Sequence, residues 1–150
     1  MLLLDIDGVL SPFGAGPPPG FERASFGEYE VVWSAQHREW LAELGSLFQL
    51  VWATTWEHSA NEAMSPVLDL GKLPVIEFDR GSGDTWKLPS VQEFVADQPM
   101  AWIDDDLYIE AFSWAREREE PTLLLRTSSS VGMTADHFEQ LLAFAKDLDS

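Results

Sequence analysis

The sequence predicts an α/β fold in which a mainly parallel, five-stranded sheet is covered by helices on both faces. Three observations predict it. Short apolar runs of strand length alternate with segments of helical periodicity, the pattern of successive βαβ units. The composition, 45% hydrophobic with seven Trp and nine Phe in 150 residues, supplies one proper core and leaves little room for a second domain. Residues capable of chemistry stand at or just past the ends of the apolar runs, where open parallel sheets bind their ligands.

The first strand is the run Leu2-Leu3-Leu4, which delivers Asp5, Ile6 and Asp7 onto Gly8. Ser11 to Gly20 holds four Pro and three Gly and is read as a loop. Residues 21–26 and 28–33, around Gly27, predict a short β-hairpin. A helix follows, with Trp40, Leu41, Leu44 and Leu47 on one face and Gly45 near its end. Residues 48–53 read as the second buried strand, ended by Thr54, Thr55 and Trp56. Ala60, Ala63, Met64, Val67 and Leu68 mark a helix that Pro66 is expected to kink, with His58 in its first turn.

Residues 73–78 are read as the third strand and 79–84 as a loop. Met100-Ala101-Trp102-Ile103 is the fourth strand, running into Asp104-Asp105-Asp106. Asp106 is expected to cap a helix from about Leu107 to Glu119, which places Leu107, Ala111 and Trp114 on one face and stops before Pro121. Residues 122–125 make the fifth strand, with Arg126 at its end. Ser128-Ser129-Ser130 opens a loop, and Phe138, Leu141, Leu142 and Ala145 define the last helix. The expected architecture is a Rossmann-like three-layer sandwich. One small hairpin flap, about residues 11–33, would be its only cover, with no large cap.

The balance of 26 Asp plus Glu against nine Lys plus Arg gives a net charge of −17. Such a surface repels nucleic acid and anionic membranes at long range, which disfavours an extended nucleic-acid-binding face. It leaves room for a local site that takes one terminal phosphate. No apolar stretch is long enough to span a bilayer, and Asp5 interrupts the only apolar run near the N-terminus. Cytoplasm is the expected compartment. The absence of cysteine excludes disulfides and thiolate metal sites.

Asp5 and Asp7 carry the strongest chemical signal. Side chains alternate along a strand, so the two carboxylates point the same way where the strand frays, and Gly8 lets the backbone turn just after them. At about 4 Å and an effective dielectric of about 20, the pair repels by roughly 4 kcal/mol. A cation offsets that repulsion, so the arrangement points to a metal site with one carboxylate free to react. An exposed Asp-x-Asp-Gly turn is the competing explanation.

Four segments taken in order resemble the motifs of the haloacid dehalogenase superfamily, whose members are mostly phosphatases. They are Asp5-Ile6-Asp7-Gly8-Val9-Leu10, Trp52-Ala53-Thr54, Lys87 within Thr85-Trp86-Lys87-Leu88-Pro89, and Trp102-Ile103-Asp104-Asp105. The resemblance implies that Asp5 is the nucleophile, Asp7 the general acid/base, Thr54 a hydrogen-bond donor to the phosphoryl group and Lys87 its charge partner. It also implies Mg²⁺ held by Asp5, Asp104 and Asp105 with the backbone carbonyl of Asp7.

The chemistry agrees with these roles. An aspartate attacks phosphorus competently once the phosphoryl charge is neutralised, and Mg²⁺ accepts one or two carboxylates while keeping waters and a phosphate oxygen. Thr55 takes the role of Thr54 if the strand frays one residue later. Trp56 and Trp86 read as packing residues that can also stack on a substrate ring, and Arg126 as a candidate phosphate or substrate contact.

The segments Trp86-Lys87-Leu88-Pro89 and Ser130-Val131-Gly132-Met133-Thr134 further resemble a small capless group associated with bacterial RNA-repair proteins. The expected function is therefore a Mg²⁺-dependent phosphomonoester hydrolase working through an aspartyl-phosphate at Asp5. Its substrate would be a small ester or the terminal phosphate of a polymer. An end-processing phosphatase in RNA repair and a non-catalytic binding module on the same fold are the alternatives. A dehalogenase needs neither a second Asp nor a metal, and this chain carries Asp7 and the acidic fourth motif.

Overall fold

Three leucines with no exposed surface form the centre of the sheet. The computed structural model describes residues 1–14, 16–79 and 86–150. In chain order the elements begin with β1 (Leu2–Leu4), β2 (Phe21–Phe26), β3 (Tyr29–Ser34), α1 (Ala35–Gly45), β4 (Leu50–Trp52) and α2 (Ser59–Val67). They continue with α3 (Leu88–Val95), β5 (Met100–Asp104), α4 (Ile109–Glu117), β6 (Thr122–Arg126) and α5 (Ala135–Leu148). Four strands pair in parallel in the order β4-β1-β5-β6. Leu3 is flanked by Val51 on one side and Trp102 on the other.

Alternate residues of these strands feed two cores, as the period of a strand requires. Leu2, Leu4, Trp52 and Ile103 pack with Leu41 and Leu44 of α1, Met64 of α2 and Leu141 of α5. Leu3, Val51, Trp102 and Leu124 pack with Val91 and Val95 of α3 and Ala111 of α4. The sheet thus lies between two helical layers, as the alternation of apolar runs predicts. Among the described residues no helix is long and apolar enough to cross a membrane.

The expected hairpin is present: β2 and β3 pair antiparallel from Phe21↔Ser34 to Phe26↔Tyr29 across Gly27 and Glu28. Its side chains hold it to the body. Val31 is buried in the first core, the Phe21 ring meets His37 edge-on at 5.3 Å, and Tyr29 Oη lies 3.2 Å from Ser59 Oγ.

The sheet has four strands rather than five. Residues 73–78 make one isolated bridge, Val75 to Trp52, with Trp52 N–H donating to Pro74 O (2.9 Å) and Ile76 N–H to Trp52 O (3.0 Å). Pro74 has no N–H with which to extend a ladder. The amides around it turn to side chains instead, Leu73 N–H to Asn61 Oδ1 and Phe78 N–H to Glu57 Oε2.

Four smaller differences have equally local causes. The helix expected over 107–119 runs from Ile109 to Glu117, because Asp106 N–H is bonded to Asp104 Oδ1 (2.8 Å) and Leu107 is buried ahead of the first turn. Asp106 does not cap it; Tyr108 occupies that position without a side-chain cap. Leu47 lies past the end of α1 and is exposed. α3 is a helix the sequence reading leaves out, although Pro89 in its first turn and the buried pair Val91 and Val95 signal it. Of the loop expected over 79–84, residues 80–84 lie outside the described residues.

Candidate active site

Every strand of the parallel sheet points its carboxyl end at one edge, and the carboxylates gather there. Asp5 follows β1 directly, and Asp104 is the last residue of β5. Asp5 is 6% exposed and Asp104 has no exposed surface. Lys87, just ahead of α3, joins them: its Nζ lies 2.8 Å from Asp104 Oδ2 and 3.3 Å from Asp5 Oδ2, and donates to Ala53 O at 3.2 Å. One ammonium thus serves two buried carboxylates, and Asp5 Oδ1 also accepts from Ile6 N–H at 2.8 Å.

Burial raises the Asp5 carboxyl well above the usual carboxylate range, and the Asp104 charge adds to it, while Lys87 and the Ile6 amide oppose them. Asp105 is pushed up to about 6 by burial, then by Asp106 and Asp104. Burial by itself would lower the Lys87 ammonium, but Asp104 and Asp5 outweigh it and raise it. Three carboxyl groups thus gather about one lysine, and the excess of carboxyls over cations helps make Asp5 and Asp105 resist ionisation.

A cation would relieve that excess. Asp5, Asp104 and Asp105 each offer an oxygen, and these oxygens lie within 4.8 Å of one another, the acidic group able to hold a metal ion among the described residues. Oxygen donors alone, three of them carboxylates, suit a hard divalent ion. Gly8 and Thr127 shape the floor of this group. Gly8 turns with φ +81°, and Thr127 donates its hydroxyl to Gly8 O (2.7 Å) and its N–H to Asp104 O (3.1 Å).

The remaining expected residues divide. Asp7 stands apart from the three-carboxylate group, half-buried, with its Oδ2 accepting from Trp56 Nε1–H at 3.1 Å. Thr54 has no exposed surface and its Oγ1 accepts from Trp56 N–H at 3.3 Å, whereas Thr55 is exposed. Asp5, Asp7, Thr55, Lys87 and Asp105 line one cavity of about 320 Å³. Trp86 also lines it, edge-on to Phe78 at 5.3 Å. Trp56 and Arg126 do not; the Arg126 guanidinium lies over the Tyr108 ring at 5.4 Å. His58 pairs with Glu77 at 2.7 Å on the surface, away from this cavity. A larger cleft of about 420 Å³ between α2 and residues 70–72 lacks the acidic centre.

Sequence reasoning missed three lining residues, Phe13, Asp106 and Ser129. Phe13 is 56% exposed, an aromatic in a Pro/Gly loop, and Asp106 extends the acidic run; both signals were visible. Nothing in the sequence distinguishes Ser129 from its serine neighbours. It reaches the rim because Phe13 N–H donates to Ser129 O at 2.8 Å.

This α/β sheet, with an acidic centre and a single lysine at its carboxyl edge, is the arrangement that haloacid dehalogenase-type domains use. The profile of one family, described as the HAD domain in Swiss Army Knife RNA repair proteins, matches residues 1–138, and the chain belongs to that family. No curated protein and no solved structure matches the chain.

Proposed function

We propose that this domain is a Mg²⁺-dependent phosphomonoester hydrolase in which Asp5 is the nucleophile and Asp7 the general acid/base. The observation that carries the reading is Lys87 bridging Asp5 and Asp104 beneath a cavity that Asp7 and Thr55 also line. Asp5, Asp104 and Asp105 would hold the ion. Mg²⁺, when bound, neutralises phosphoryl charge and the mutual repulsion of the carboxylates.

Asp5 forms a bond to phosphorus as the bond to the leaving oxygen breaks, and Asp7 gives that oxygen a proton. Asp7 then takes a proton from water as its oxygen attacks the aspartyl-phosphate, which releases phosphate and restores Asp5. Lys87 holds Asp5 in place and balances charge. Thr55, rather than the buried Thr54, supplies the hydroxyl that donates to a phosphoryl oxygen; Thr54 shapes the turn beneath it.

The family's association with RNA repair supports a terminal polynucleotide phosphate as substrate. The exposed Phe13 and the Trp86 ring at the mouth offer surfaces on which a terminal base can stack. The net charge of −17 supports recognition of an end rather than of a long strand. The test is a panel of p-nitrophenyl phosphate, nucleotides and 5′- or 3′-phosphorylated oligonucleotides, assayed with Mg²⁺ and with chelator. Mg²⁺-dependent release of phosphate from the oligonucleotide ends is the expected result. Release from small esters alone removes the RNA-end reading, and no release from any member removes the hydrolase.

A further inference from the structure

We infer that Trp56 is the positioning residue for Asp7: its indole N–H fixes the carboxylate so that the proton Asp7 transfers sits on Oδ1. The inference rests on the hydrolase reading above and goes one residue further into it. Trp56 Nε1 lies 3.1 Å from Asp7 Oδ2, and Trp56 is absent from the lining of the cavity that Asp7 faces. The ring therefore acts through Asp7 and not by touching substrate.

An indole nitrogen only donates, so it holds Oδ2 as an acceptor whatever the state of the other oxygen. The acidic proton belongs to Oδ1. When the bond between phosphorus and the leaving oxygen breaks, that proton passes from Oδ1 to the leaving oxygen, and Oδ2 keeps its indole partner. In the second half, Oδ1 recovers a proton from the attacking water.

Trp56 is itself held at two points, and the second of its holders is anchored in turn. Its amide donates to Thr54 Oγ1, its ring lies 5.9 Å from that of Tyr29, and Tyr29 Oη lies 3.2 Å from Ser59 Oγ. β3 of the hairpin thus braces the ring that braces the acid. This gives the hairpin a task in the chemistry that does not require it to move over the site.

The experiment compares two esters that differ in their need for a proton. The departing alkoxide of glycerol phosphate must be protonated, while p-nitrophenolate leaves without help. Trp56→Phe keeps the ring against Tyr29 and removes the N–H. Its kcat/KM on glycerol phosphate, which reports the step in which the leaving group departs, is expected to fall about 10-fold or more further than its kcat/KM on p-nitrophenyl phosphate. In the Asp7→Asn background the same substitution is expected to add no further loss on glycerol phosphate. Equal losses on the two esters, or none, overturn the inference while leaving the hydrolase standing. If the wild-type protein cleaves neither ester nor a phosphorylated oligonucleotide end, the hydrolase reading falls and this inference with it. If it cleaves only the oligonucleotide end, the indole resonance described below decides.

Should Trp56→Phe fail to fold, the contact can be read in the wild-type background. In ¹⁵N-labelled protein, Asp7→Ala is expected to move the Trp56 indole N–H resonance more than those of the other tryptophans. An unmoved Trp56 resonance overturns the inference.

Discussion

Gly8 packs directly beneath the carboxylate of Asp105: a Cβ at position 8 would lie 2.5 Å from Asp105 Cγ, and the backbone there has φ +81°. The turn that follows Asp5 and the acidic loop after β5 therefore fit together only if residue 8 has no side chain. Gly8→Ala adds a left-handed conformation that side chains resist and pushes Asp105 out of its place. The expected outcome is a loss of about 1–3 kcal/mol, a fall of several °C in melting temperature. Calorimetry with and without Mg²⁺ checks it, and the Mg²⁺-dependent rise in melting temperature should shrink in the variant.

Lys87 is the one cation paired with Asp5 and Asp104 among the described residues, and all three side chains are at most 8% exposed. Lys87→Met leaves two buried carboxylates without compensation. Metal-free protein is expected to lose about 3–5 kcal/mol, the usual result of removing one partner from a buried pair. Saturating Mg²⁺ should return part of that loss. Urea unfolding in chelator and in Mg²⁺ measures both quantities.

Asp5→Asn changes one atom of the proposed nucleophile and keeps the Ile6 N–H contact, so the protein should fold while phosphate-ester hydrolysis falls to background. Asp7→Asn should retain slow turnover, down about 10²–10⁴-fold. Steady-state assays on one ester separate the two. Wild-type-like turnover by Asp5→Asn rules out covalent catalysis at that residue.

His37 makes stability depend on pH away from the site. Burial holds its imidazole below the ordinary value, against the smaller opposing effect of its contacts to the Met133 and Leu10 carbonyls. A folded-state pKa below the unfolded value means the unfolded chain binds the proton more readily. The stability contributed is complete above about pH 6.5 and is lost as pH falls towards the folded-state value. Wild type should therefore lose melting temperature relative to His37→Gln between pH 7 and 5.5. Both proteins are measured in saturating Mg²⁺, so that the acidic centre contributes equally to each.

The site was more legible than the sheet. Asp5, Asp7, Asp104 and Asp105 stand at or just past the ends of apolar runs, and a carboxyl at a strand end is conspicuous in sequence. Lys87 follows no strand and was legible only through its place in the order of motifs. The strand expected over 73–78 was misread because its apolar content matches a strand, while its lack of a ladder depends on Pro74 and on the side chains of Asn61 and Glu57. The cap expected of Asp106 failed for a similar reason: Asp104 takes the Asp106 amide, a contact between neighbours that spacing does not reveal. Trp56 read as packing because a buried tryptophan is usually that. Its bond to Asp7 joins two loops that only the fold brings together.

The central place of β1 has a consequence for the order of folding. Leu4 pairs with Trp52 on one side and Ile103 on the other, so the strand bearing Asp5 waits for partners made much later in the chain. Parallel pairings between such distant segments are slow to form, because the loops between them must close before any contact rewards the closure. A ribosome has to release the stretch through β5 before the N-terminal strand is flanked. Until then the edge of β1 that β5 covers stays unpaired beside Asp5. The acidic centre is thus among the last parts of the molecule to exist, and a chain truncated ahead of Met100 should leave one edge of β1 persistently open to chaperones.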